Sequence, residues 1–97
     1  MSWKHENDPP KKLNIAIDWD ETFTADPDTW RAVVSTLQAA GHTVYVVTAR
    51  SPATTWECEQ GLPGCQVVAC SWELKREVCR KRGIKIDIWI DDSPEFI

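Results

Sequence analysis

Apolar positions along the chain fall in short blocks, and each block ends in a turn or capping residue. Leu13 to Ile17 is dominated by apolar residues, which suits a strand buried on both faces. Asp26 then offers an N-cap with Pro27 at the first helical position. Trp30, Val33, Val34, Leu37 and Ala40 recur at helical spacing as one apolar stripe, and Gly41 stands where a helix ends. The β-branched run Val44-Tyr45-Val46-Val47 predicts a second buried strand that stops at Thr48-Ala49-Arg50. Strand, helix, strand is a βαβ unit, whose crossover is right-handed by rule.

The pattern repeats. Ser51-Pro52 starts a short helix through Trp56 to about Gln60, before Gly61 and Pro63. Gln66 to Cys70 is a third strand. Ser71 caps a helix through Trp72, Leu74, Val78 and Cys79, with Arg80-Lys81-Arg82 in its last turn, where the helix dipole favours cations, and Gly83 beyond. Ile84 to Ile90 is a fourth strand that ends at Asp91-Asp92-Ser93-Pro94. The expectation is a three-layer, Rossmann-like α/β fold with a short, mainly parallel sheet of four strands.

In such sheets functional residues gather at the carboxyl ends of the strands. Asp18 and Asp20 follow the first strand, Thr48 ends the second, and Asp91 and Asp92 follow the fourth. Carboxylates at the mouth of a buried strand need a compensating partner, and a divalent cation is the natural one.

Composition changes this picture little. The chain of 97 residues makes one small domain over 13–97, preceded by a flexible polar leader over 1–12 that has no apolar segment of the secretory kind. An apolar fraction of 42% with 27% charged residues is ordinary for a soluble protein, and no run nears the roughly 20 residues of a membrane span. A cytoplasmic setting follows as the default. Cys58, Cys65, Cys70 and Cys79 contain no Cys-x-x-Cys pair, and His5 and His42 lie far from them in sequence, so free thiols are expected rather than a zinc site or disulfides. The net charge of −4 opposes indiscriminate nucleic-acid binding.

Ile15-Ala16-Ile17-Asp18-Trp19-Asp20-Glu21-Thr22, Val46-Val47-Thr48, Lys75 and Ile90-Asp91-Asp92 together resemble the four ordered motifs of the haloacid dehalogenase superfamily, over most of the chain. The resemblance implies a magnesium-dependent phosphatase. Asp18 would be the nucleophile that forms an aspartyl-phosphate, and Asp20 the acid and base. Asp18, Asp92, the backbone carbonyl of Asp20 and, from the same turn, Asp91 would hold Mg2+. Thr48 would donate to the phosphoryl group, and Lys75 would screen nucleophile from phosphate, with Lys81 and Lys85 as rivals for that role.

The chain departs from the family at Glu21, where glycine is common. It has no insertion for a cap domain, so an open site that accepts phosphates on bulky molecules is expected. It stops soon after the fourth motif, which would leave the Ile84–Ile90 strand as an uncovered edge through which a homodimer could form. The phosphorylated substrate is then a nucleotide, a nucleic-acid end or a phosphoprotein. Lys75, Arg76, Arg80, Lys81, Arg82 and Lys85 could meet a polyanion, although a solvated charged face is the plainer reading. Trp56 and Trp72 could stack on a ring, and Trp30 and Trp89 are expected in the core. The rival function is a binding module that keeps the fold without turnover. A phospho-accepting receiver domain would need its acid pair and acceptor aspartate in another order.

Overall fold

Four strands, β1 (Asn14–Ile17), β2 (Thr43–Thr48), β3 (Gln66–Ala69) and β4 (Ile88–Ile90), form one all-parallel sheet in the computed structural model, which describes residues 10–97. Three helices connect them: α1 (Pro27–Ala39), α2 (Trp56–Gly61) and α3 (Lys75–Lys81). The spatial order is β3-β2-β1-β4. The chain therefore winds outward from β1 to β3, then returns to lay β4 on the free side of β1. That reversal is the topological switch point of the sheet, and its crevice lies beyond the carboxyl ends of β1 and β4.

Alternation along the strands sorts the core into two layers. Ile17, Val44, Val46 and the half-buried Val67 and Ile90 pack with Val34 of α1 and Cys58 of α2. Ala16, Val47, Val68 and the half-buried Tyr45 and Trp89 pack with Val78 and Cys79 of α3. The first helix begins as the sequence predicts: the Asp26 side chain accepts from the Thr29 amide, with Pro27 following. Gly41 ends it with a φ of 91°, a left-handed conformation that glycine adopts without steric cost.

Three expectations need correction. The third helix starts at Lys75, not at Ser71. The amides of Ser71 and Trp72 donate to the carbonyls of Arg50 and Ala49, which holds both residues in a tight left-handed turn. The fourth strand is only Ile88–Ile90, because the Ile84 amide turns back to the Cys79 carbonyl and the ladder to β1 is regained at Asp87. Among the described residues the most buried tryptophan is Trp19, 4% exposed, which was not expected there, while Trp30 and Trp89 pack half-buried against the core. Trp19 stacks on Phe23 with ring centroids 4.3 Å apart, and Gly61 gives it room: a Cβ there would collide with the indole.

All four cysteines are free and buried. Of the expected leader, residues 1–9 lie outside the described residues, and Pro10, Lys11 and Lys12 are exposed ahead of β1. No helix among the described residues is long and apolar enough to cross a membrane.

Candidate functional site

Register brings the acids together. Ile17 of β1 lies opposite Ile90 of β4, and the Asp18 amide donates to the Ile90 carbonyl at 2.9 Å. The residues that follow the two strands, Asp18 and Asp91, therefore leave the sheet side by side. Lys75, at the head of α3, lies beneath them with only 3% of its side chain exposed. Its Nζ donates to Asp18 Oδ1 at 2.8 Å and to Asp91 Oδ2 at 2.5 Å.

Thr22 closes the group from the turn after β1. Its Oγ1 lies 3.3 Å from Asp18 Oδ2 and 3.0 Å from Asp92 Oδ1, and it accepts from the Asp92 amide at 3.2 Å. A hydroxyl has one proton, so it serves one of the two acids at a time.

Burial pushes the Asp18 carboxyl up to about 6, with Asp91 adding to the rise and Lys75 opposing it. Burial alone would lower the Lys75 ammonium, but its hydrogen bonds to Asp18 and Asp91 outweigh that and raise it. The bond from Thr22 lowers Asp92. One oxygen each of Asp18, Asp91 and Asp92 lies within 4.8 Å of the others. Three carboxylates facing a single ammonium leave negative charge uncompensated in a partly desolvated place. An oxygen-only donor set of this kind fits a hard divalent ion such as magnesium, which takes few carboxylates and retains water.

Asp20 is placed differently. Its side chain is 52% exposed, and Arg50 grips both its oxygens, at 2.9 and 2.7 Å. The remaining Arg50 nitrogen donates to the Thr54 carbonyl and lies 3.4 Å from Glu57. The hydrogen bonds that Arg50 donates to Asp20 raise the guanidinium above its ordinary value. Thr48 is fully buried at the end of β2, where its hydroxyl accepts from the Arg50 amide at 3.2 Å.

A cavity of about 280 Å³ opens over the cluster, with Asp18, Asp20, Lys75, Asp91 and Asp92 in its wall and Trp72 and Phe96 beside them. Thr48 is not in that wall. A hollow of about 350 Å³ lies along α3 against Ile84, Ile86 and Trp89. Its walls are apolar and basic, with none of the acids, so the site belongs to the first cavity.

Of the sequence candidates, Asp18, Asp91, Asp92 and Lys75 meet at one point. Asp20 borders it while bound elsewhere, and Thr48 is buried at the end of β2 outside the cavity wall. Lys81 and Lys85 are exposed and pair with Glu73 and Asp87. Arg80 pairs with Glu77, so the basic cluster is laced with acids. His42 serves the fold by accepting from the Leu13 amide.

Sequence reasoning missed Arg50 and the bridging role of Thr22. Thr22 stands four residues after Asp18, which was a usable signal. Nothing in the sequence marked Arg50 as the partner of Asp20.

Fold and site define a parallel α/β domain with an acid and lysine cluster at its switch point. Comparison with family models, with curated proteins and with solved structures finds no match to this chain.

Proposed function

We propose that this chain is a magnesium-dependent phosphatase that works through an aspartyl-phosphate on Asp18. The observation that carries the reading is the meeting of Asp18, Asp91, Asp92 and Lys75 at one cavity, from three separate segments. These are four of the six residues that the resemblance to the haloacid dehalogenase superfamily implies; Asp20 and Thr48 complete the expected set.

A phosphomonoester resists attack because its oxygens are negative. Magnesium, held by Asp18, Asp92 and the Asp20 carbonyl with Asp91 in support, would supply the positive charge that neutralises them. Lys75 adds a fixed ammonium and orients Asp18. Asp18 attacks phosphorus, an Asp18 oxygen–phosphorus bond forms, and the ester bond to the alcohol breaks. Asp20 gives its proton to the departing oxygen, then takes one from the water that cleaves the acyl phosphate. Inorganic phosphate leaves and Asp18 is restored.

The test is a screen with magnesium across nucleotides, nucleic-acid ends, phosphopeptides and sugar phosphates. Hydrolysis that stops with chelator and with Asp18→Asn is the expected result. A flat profile across all four classes would overturn it.

One observation favours a second reading, a binding module without turnover. Arg50 occupies both oxygens of Asp20, the group that must handle protons. Binding of phosphate esters with no hydrolysis would select that reading.

A further inference from the structure

Trp72 is the most exposed of the large apolar side chains among the described residues, at 77%. Its backbone φ is 66° and that of Ser71 is 49°, so two consecutive residues with side chains occupy the left-handed region. Each such residue costs on the order of one kcal/mol or more, and such strain persists where the surroundings impose it. Here backbone bonds impose it: the Ser71 and Trp72 amides donate to the Arg50 and Ala49 carbonyls at 3.1 and 2.9 Å, and the Glu73 amide to the Cys70 carbonyl at 2.9 Å. An exposed indole on a strained, pinned turn contributes nothing to packing. It also borders the cavity that holds Asp18 and Lys75, together with Phe96, itself 50% exposed.

We propose that Trp72, aided by Phe96, is the ring-binding half of this cavity, and that its ligand is a nucleoside monophosphate. The inference rests on the phosphatase reading for the position of the phosphate, and it names the alcohol that carries it.

Depth selects a nucleotide over an aryl phosphate. The phosphate end meets buried groups, since Asp18 is 8% exposed and Lys75 3%, whereas Trp72 stands in solvent. A spacer must separate phosphate from ring. The sugar of a nucleotide supplies one, and an aryl phosphate has none.

Charge selects a single phosphate over a polymer. Exposed Glu21 borders the same cavity and repels further phosphates. The base would stack on the indole face, a contact that tolerates any base.

The experiment measures binding, so that it does not depend on turnover. Asp18→Asn protein with magnesium is titrated with adenosine 5′-monophosphate, ribose 5-phosphate and phenyl phosphate. The nucleotide is expected to bind about ten-fold tighter than ribose 5-phosphate, within the range that base–aromatic stacking provides. Trp72→Ala in that background should erase the difference by weakening the nucleotide alone.

Trp72→Gly should erase it too while raising the melting temperature, because glycine relieves the left-handed strain. A fall in melting temperature with glycine would mark Trp72 as structural and overturn the assignment. So would equal binding of nucleotide and sugar phosphate, or no binding of either. Phenyl phosphate matching the nucleotide would overturn the choice of a nucleotide. Ring-dependent binding without hydrolysis in the unaltered chain would overturn the phosphatase reading and leave this one standing.

Discussion

Two ion-pair clusters stand a few residues apart at the carboxyl end of this sheet, and they differ in one physical respect. Lys75 with Asp18 and Asp91 is almost wholly removed from water. Arg50 with Asp20 and Glu57 keeps roughly half of each carboxylate in solvent. The bonds of Lys75 and those from Arg50 to Asp20 are similar in length, so distance does not separate these pairs. Burial does. In the first cluster each charge depends on the others, because desolvation penalises whichever is left alone. In the second, water and salt can replace any partner. The first is suited to hold a cation and a reacting centre, and the second to exchange partners.

Removing the central cation of the buried cluster is the severest way to test that contrast. Lys75→Met leaves two carboxylates, Asp18 and Asp91, without their ammonium. Breaking a buried pair on one side costs about 3–5 kcal/mol, and chemical denaturation in chelator should show a loss of that order. Magnesium should then stabilise the variant more than the unaltered protein, because the ion takes over the missing charge. A loss below about 1 kcal/mol would mean that the cluster is solvated like an exposed pair.

The same burial gives Asp18 a signature in pH. Its carboxyl is raised in the folded chain from 3.8 to about 6. The folded state therefore holds the proton more tightly than the unfolded one between those values. That contribution to stability is complete below about pH 4, is lost as pH rises to about 6, and is flat above. Asp18→Asn lacks the titration. In chelator, the unaltered protein should lose on the order of 3 kcal/mol relative to that variant between pH 4 and pH 7. Parallel pH profiles for the two proteins would refute the burial argument.

Much of this geometry was legible before any coordinates. Periodicity located four strands and three helices, and a parallel sheet sends Asp18, Thr48 and Asp91 to one end whatever their roles. Capping chemistry fixed Asp26, Pro27 and Gly41, because those signals are local.

The misreadings share a cause. Ser71 looked like a cap, but bonds to Ala49 and Arg50, about twenty residues earlier in the chain, set its conformation. Trp19, between two acids, was not among the expected core tryptophans; the turn after β1 lays it on Phe23 and Gly61. The grip of Arg50 on Asp20 spans thirty residues and has no spacing rule. Local patterns were readable, and tertiary pairings were not.

The smallest effect expected is on the exposed cluster, where coupling rather than loss is the informative quantity. A double-mutant cycle of Asp20→Asn with Arg50→Gln should give a coupling energy of about 1 kcal/mol or less, although both oxygens of Asp20 are bonded. One molar salt should weaken it further, since the Debye length there is about 3 Å. The corresponding cycle of Asp18→Asn with Lys75→Met should resist the same salt, because that pair is nearly removed from water and is screened far less. Arg50 also donates to the Thr54 carbonyl, so Arg50→Gln carries a packing cost of its own that the cycle cancels. A coupling between Asp20 and Arg50 that equals the buried one and ignores salt would make their pairing a fixed strut. Asp20 would then be locked out of proton transfer, and the binding module would become the better account of the site.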